Sequence, residues 1–123
     1  MSEVNQEQTT QWLRRAASVP GTLVRGIRFA DETFVSDGDS RELPASALET
    51  AWRLVADAFE VLRAQHLPPD RPTWVYERTV LHCVQRADAA ILGVFLTKKI
   101  TEADRATLDR LLTEFQSMVS PTV

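Results

Sequence analysis

A long helical pattern between Ala45 and Gln65 limits the folds open to this chain, because its apolar residues extend around an unusually large part of the helix. On a helical wheel the apolar arc covers roughly 220°, more than one sheet can bury. The main stripe comprises Leu48, Trp52, Val55, Phe59 and Leu62, and the sideways extension comprises Ala51, Leu54, Ala58 and Val61. We therefore expect the stripe to close the core and the flank with Leu54, Ala58 and Val61 to face a partner.

The boundaries of this helix carry their own signals. Ser46 and Glu49 form an S-x-x-E pair typical of a capping box, and Pro44 suits a first turn. These residues predict a start between 43 and 46. The helix is expected to end near His66, ahead of a pair of prolines.

The remaining segments predict two shorter helices and five strands. The first helix carries Trp12 and Leu13 and ends at Pro20-Gly21, whereas the last begins at Thr101, a good N-cap. Its narrow apolar stripe comprises Leu108, Leu111, Leu112, Phe115 and Met118. The predicted strands are Thr22 to Ala30, Thr33 to Ser36, Trp74 to Tyr76, Val80 to Val84 and Ala89 to Leu96. In the first strand Leu23, Ile27 and Phe29 are expected on one side and Val24, Gly26 and Arg28 on the other.

These elements combine into one fold class. The run from Ile91 to Leu96 is apolar at every position, which a strand needs only if both faces of its sheet are covered. We therefore predict an α+β fold of order α-β-β-α-β-β-β-α. A five-stranded, mostly antiparallel sheet would lie between the long helix on one side and the two shorter helices on the other.

Composition limits the class of protein further. The chain has 123 residues, 44% hydrophobic and 25% charged, which suits a single domain with a real core. We expect flexible tails at residues 1–10 and 120–123 around a domain at 11–119. The net charge of −3 argues against nucleic acid as a partner. The polar N-terminus and the short apolar runs predict a cytoplasmic protein without membrane insertion.

The sequence shows no catalytic, cofactor or metal motif. The glycines are too dispersed for a phosphate-binding loop, and the two histidines are too far apart to predict a metal site. Cys83 follows His82, but neighbouring strand residues point to opposite faces, so a thiol–imidazole pair is not expected. Arg25, Arg28 and Arg86 could contact an anion or act as arginine fingers, and nothing in the sequence separates these roles from that of ordinary surface arginines.

The large aromatic residues leave two interpretations open. Trp52 and Phe59 lie on the main helical stripe and favour the core. Trp74 and Tyr76 share one strand face, where a core position and an interface position are equally consistent with the pattern.

A family resemblance covers nearly the whole chain. The segments that carry it are Trp12-Leu13, Val19-Pro20-Gly21, the strand Leu23 to Phe29, the helix Ala47 to Leu62, Trp74-Val75-Tyr76-Glu77, and Arg86 to Val94 before the final helix. In this order they resemble the Roadblock family of dynein light-chain and GTPase-regulator proteins, with its Roadblock/profilin-like sandwich. The chain departs from the family at Asp31-Glu32, where members often carry Asp-Gly.

The resemblance implies a non-enzymatic dimeric scaffold or regulator. Family members pair as homodimers or as heterodimers with a sibling, through the long helix and the third strand, and bacterial members are often partners of small Ras-like GTPases. The interface residues implied here are Leu54, Ala58, Val61, Trp74, Val75 and Tyr76. The alternative is a small-molecule-sensing domain with a pocket between helix and sheet, beneath Trp52 and Tyr76.

Overall fold

The chain folds in the predicted order, as seen in a computed structural model that describes residues 6–38, 43–67 and 71–119. The elements are α1 (Gln6–Arg15), β1 (Thr22–Arg28), β2 (Phe34–Asp37), α2 (Ala45–Ala64), β3 (Thr73–Val75), β4 (Thr79–Gln85), β5 (Ile91–Thr97) and α3 (Glu102–Ser117). The α+β class and the sequence α-β-β-α-β-β-β-α are confirmed. Residues 1–5 of the N-terminal tail predicted at 1–10, the C-terminal tail at 120–123 and Pro68-Pro69 lie outside the described residues.

The five strands form one antiparallel sheet in the order β2-β1-β5-β4-β3. The central strand β5 is buried from Ile91 to Leu96, which explains its unbroken apolar sequence. One face packs under α2, and the buried members of this cluster are Val24, Leu48, Trp52, Val55, Phe59, Leu81, Cys83, Ile91 and Phe95. The other face packs under α1 and α3, with Leu13, Ile27, Leu92, Val94, Leu108 and Phe115 among its buried residues.

The main stripe of α2 enters the core except at its last member. Leu48, Trp52, Val55 and Phe59 are buried as expected, but Leu62 is 36% exposed. In the last turn of the helix it is Arg63 that reaches the sheet, because its guanidinium donates a hydrogen bond to the side-chain oxygen of Gln85. The prediction of Leu62 as a core residue was therefore wrong.

Helices α2 and α3 begin in different ways. Thr101 caps α3 as predicted, accepting a hydrogen bond from the Asp104 N–H at 3.1 Å. The capping box predicted for α2 is absent, because the N-cap position is Pro44 and no side chain caps the helix there. Ser46 lies inside the first turn of the helix, two residues after the N-cap. Its hydroxyl is therefore not in the position from which a capping side chain accepts from the free N–H groups. The predicted start of the helix is confirmed, and the predicted capping box is wrong.

Strand β1 departs from simple alternation at its beginning. Its register against β5 shifts between Thr22 and Val24, and Leu23 packs against the α2 cluster together with Val24. The expected grouping of Leu23 with Ile27 and Phe29 is therefore wrong, because a bulge places two successive residues towards one face. Ile27 and Phe29 do pack together against α1 and α3.

Helix α1 begins at Gln6, earlier than the flexible tail predicted for residues 1–10 allows. Thr9 is buried at this helix and accepts a hydrogen bond from the Arg86 guanidinium at 3.1 Å. The polar start of α1 is thus tied to the buried Arg86 through Thr9. Hydrophobic periodicity does not predict such a polar contact. Within the three described ranges, none of the helices combines the length and apolarity that crossing a bilayer would require.

Candidate partner-binding surface

The flank of α2 that the sequence leaves without a core position remains outside the core. Leu54 and Val61 are each 61% exposed, and Ala58 between them is half-buried. Their spacing of four and then three residues places them in one line along the helix, about 10 Å long at 1.5 Å per residue. We call Leu54, Ala58 and Val61 the α2 ridge. Large aliphatic side chains lined up in this way form an uncovered apolar surface.

Strand β3 forms one edge of the sheet, and in the described residues no strand pairs with its outer side. Trp74 is half-buried and packs against the α2-side cluster. Tyr76 is 45% exposed, with its ring centroid 5.9 Å from that of Phe95, a member of the same cluster. Val75 alternates to the opposite face and is 70% exposed. The edge therefore presents apolar groups on both faces of the sheet.

The six residues expected at an interface thus fall into three groups. Leu54, Val61 and Tyr76 are exposed on the α2 side, Ala58 and Trp74 are half-buried on that side, and Val75 is exposed on the other. Burial, and then the nearby Cys83, raise the pKa of Tyr76 above its usual value. Its hydroxyl is accordingly neutral at pH 7, which suits an apolar contact surface.

The geometry around Cys83 argues against a cysteine nucleophile. The thiol is buried under α2, and this burial raises its pKa well above the ordinary value. His82 lies on the opposite face, where burial and then Arg105 lower the pKa of its imidazole while Asp109 opposes them. The two groups cannot exchange a proton directly. Among the residues that the structure describes, no group of three or more His, Cys, Asp or Glu side chains could hold a metal ion.

Arg25 is a buried structural residue. Its guanidinium donates to the carbonyl oxygens of Leu13 and Ala16 at 2.6 and 3.0 Å and forms an ion pair with Asp37 at 3.1 Å. It therefore satisfies carbonyl groups at the end of α1 and neutralises part of the helix dipole there. The sequence holds one signal for this burial. Arg25 lies two residues before Ile27 and four before Phe29, so strand alternation places it on the same face as these two core residues.

Arg86 is even more deeply enclosed, with 1% of its surface exposed. It binds both carboxylate oxygens of Asp88, at 2.8 and 2.9 Å, and its guanidinium carbon lies 4.8 Å from the centre of the Phe115 ring. The guanidinium also donates a hydrogen bond to the Thr9 hydroxyl. Neither Arg25 nor Arg86 is placed to enter another protein as an arginine finger, whereas Arg28 is partly exposed and pairs with Glu32 at 3.7 Å.

The space beneath Trp52 is filled. Its indole N–H donates to the Gly26 carbonyl at 3.2 Å, and a methyl group at Gly93 would lie 2.6 Å from the ring. Two open clefts of about 450 Å³ lie along α2 and share Arg28 and Glu32, and Trp52 and Phe34 line one of them at its edge. In the described residues the indole of Trp52 thus borders an open cleft with charged residues in its lining, while the ring itself packs against Gly26 and Gly93.

Comparisons with known proteins agree with this geometry at the level of the fold. The structure is similar to that of Myxococcus xanthus MglB, with a TM-score of 0.69, 12% sequence identity and 100% of both chains covered. It is also similar to a Roadblock/LC7 domain from Streptomyces avermitilis, with a TM-score of 0.59 and 14% identity over 80% of this chain and 86% of that one. No family model and no curated protein sequence matches.

Proposed function

We propose, starting from the Roadblock-type fold of this chain, that it is a non-enzymatic dimeric scaffold or regulator acting in the cytoplasm. The observation that carries the proposal is the pair of uncovered apolar surfaces, the α2 ridge and the β3 edge. In the dimer the ridge packs against its counterpart, and the two β3 strands join the sheets. The assembled surface then binds a small Ras-like GTPase or another signalling protein.

The energetics favour a partner for these surfaces. Full burial of a Leu or Val side chain contributes about 1.5–3 kcal/mol, and Leu54, Val61 and Val75 each retain more than half of their exposure in the isolated chain. Ala58 between the two larger residues permits close approach of a second helix. An uncovered edge strand adds unpaired backbone groups that a second strand satisfies. Self-association uses all of these features together.

The choice of a GTPase follows from the family resemblance, since bacterial members are often partners of small Ras-like GTPases. A sibling Roadblock-type protein could replace the second copy in a heterodimer. Capture of partners from the native source with the tagged full-length chain, interpreted together with the neighbouring genes, tests this part. Recovery of a GTPase with the wild type and not with a monomeric variant supports the proposal, and capture of no signalling protein contradicts it.

Ala58→Glu tests the dimer. A carboxylate in the middle of the α2 ridge would be buried opposite an identical charge across the two-fold, so we expect a monomer with an intact fold. Light scattering at high micromolar concentration gives the mass, and circular dichroism confirms the fold.

The matched control is Ala106→Glu, which makes the same change at an exposed position of α3. It should leave the mass unchanged. A wild type that is a strict monomer at high micromolar concentration would contradict the dimer itself. If Ala58→Glu remains dimeric, the interface lies elsewhere on the molecule.

A further inference from the structure

Strand β2 forms the second edge of the sheet, and no strand within the described ranges pairs with its outer side. The N–H of Phe29 donates to the carbonyl oxygen of Thr33 over 2.8 Å, so the backbone of Thr33 faces β1. In an antiparallel ladder, successive residues direct their backbone groups alternately to the two sides. The N–H and C=O groups of Phe34 and Ser36 therefore point outward, away from the sheet.

This edge borders one of the two open clefts along α2. Phe34 lines the cleft together with Ser46, Glu49 and Arg53, which lie on the flank of α2 turned away from the α2 ridge. The Trp52 ring also reaches it, with its centroid 5.2 Å from that of Phe34. A volume of about 450 Å³ is in the range of sites that enclose a bound group. A side chain that extends from a strand beside β2 on this face would enter the cleft.

We propose that β2 binds an extended peptide segment of a partner protein, which joins the sheet antiparallel to β2. The backbone of the peptide exchanges hydrogen bonds with the outward groups of Phe34 and Ser36. Residues directly opposite each other in an antiparallel pair have their side chains on the same face. The peptide residue opposite Phe34 therefore places its side chain in the cleft.

The unpaired groups on β2 indicate the chemistry of the partner. N–H and C=O groups alternate along the edge, and a second extended backbone presents complementary groups with the same spacing. The cleft adds selectivity for one side chain. The rings of Phe34 and Trp52 suit an apolar stem, whereas Glu49 and Arg53 suit a polar or charged head. We therefore expect a long side chain with a polar end opposite Phe34.

The peptide site is separate from the proposed dimer interface. Strands β2 and β3 are the two opposite edges of the sheet, with β1, β5 and β4 between them. The cleft likewise lies on the other flank of α2 from the α2 ridge. Peptide binding therefore does not require the dimer, and the Ala58→Glu variant should bind the peptide as tightly as the wild type.

Selection from a phage-displayed library of short linear peptides supplies the probe, and isothermal titration calorimetry measures its binding. Ser36→Pro removes an outward N–H group, and an edge strand tolerates proline where its N–H faces solvent. We expect this variant to retain its fold by circular dichroism and to bind the selected peptide at least about tenfold more weakly. Ser36→Ala is the matched control: it keeps the N–H group and should bind as the wild type does.

Methylation of backbone nitrogens in the selected peptide tests the pairing without changing the protein. Because only alternate N–H groups of an added strand face β2, methylation of one alternate set should abolish binding and methylation of the other should not. Equal binding of the two methylated peptides, or equal binding to Ser36→Pro and the wild type, would overturn the proposal.

Three further results would also overturn it. A library that yields no binding peptide removes the proposed partner. A peptide whose binding is abolished by Ala58→Glu lies on the α2 ridge instead. A lower mass of Ser36→Pro than of the wild type, measured by light scattering without peptide, assigns the β2 edge to a second copy of the chain. A wild type that is monomeric and still binds the peptide through β2 would contradict the proposed dimer and leave this inference standing.

Discussion

Two arginines connect distant parts of the chain through single side chains. Arg25 joins the end of α1 to Asp37 at the end of β2, and Arg86 joins Asp88 to Thr9 in α1. Both are enclosed and both have polar partners, which offsets the cost of burying a guanidinium. Their roles are architectural. For Arg86 the sequence shows the neighbouring Asp88, but the contact with Thr9 joins residues 77 positions apart, which spacing alone does not reveal.

The pair of Arg86 and Asp88 makes stability depend on pH. Partial burial raises the pKa of Asp88, but the hydrogen bonds and charge of Arg86 outweigh it and lower the pKa below the usual Asp value. The ionised carboxylate therefore contributes stability that is present above about pH 4 and is lost as pH falls through the lowered folded-state pKa. Asp88→Asn should cost about 1 kcal/mol at pH 7, a modest figure because the carboxylate is 38% exposed.

The measurement is urea unfolding of the wild type and of Asp88→Asn at pH 7 and at pH 3. The difference in unfolding free energy should shrink at the lower pH. Asp57→Asn, at an exposed position of α2, serves as the matched control and should show little difference at either pH. An equally large gap at both pH values for Asp88→Asn would show that its charge is not the cause.

Helix α2 ends in a geometry that normally uses glycine. His66 has a φ of 59°, its N–H donates to the Arg63 carbonyl at 3.0 Å, and the Leu67 N–H donates to the Leu62 carbonyl at 2.8 Å. These two bonds define a Schellman motif with His66 in the left-handed position. The second hydrogen bond places Leu62 and Leu67 side by side, and both are exposed at the helix end.

Replacing His66 with glycine should therefore stabilise the fold by about 0.5–1 kcal/mol, because glycine adopts a positive φ without strain. Gly21→Ala is the reverse case: φ is 92°, and the added methyl group would lie 2.8 Å from the Thr97 hydroxyl. That variant should lose more than about 1 kcal/mol. Urea unfolding compares the two changes, and a loss of stability in His66→Gly would contradict the assignment of strain.

The sequence predicted helices and strands well where periodicity alone decides them. The stripe of α3 and the alternation of Ile27 and Phe29 in β1 are recovered because burial repeats with a fixed spacing. The bulge at Leu23 was missed, since one extra residue in a strand leaves no mark on composition. The missing cap at Ser46 has a related cause: S-x-x-E matches a pattern, whereas capping depends on where the helix begins.

For the whole molecule, the candidate surface was predictable only in part. The wheel of α2 separates Leu54 and Val61 from the core because a single sheet covers a limited arc. For Trp74 the sequence left core and interface equally open, and the structure places it between them, half-buried at an edge. The order of strands was not predicted, because it depends on pairing between distant segments.

A dimer held by these surfaces makes thermal stability depend on concentration. Association stabilises the folded state by mass action, so the Tm of the wild type should rise when protein concentration is increased about a hundredfold. The Ala58→Glu variant should show no such rise. Differential scanning calorimetry over this range makes the comparison, and a constant Tm in the wild type would contradict association through the native fold.

The position of β5 has a consequence for how the molecule is made. The β1–β2 hairpin and the β3–β4 hairpin share no strand contacts with each other and are joined only through β5, which is synthesised after both. Each hairpin exposes one long edge until residues 91–97 leave the ribosome. The edge of β4 is covered quickly, because β5 follows it directly in a local hairpin, whereas the pairing of β1 with β5 joins distant segments and forms slowly. The nascent chain is therefore most prone to aggregation through its unpaired strand edges in the interval before β5 is synthesised.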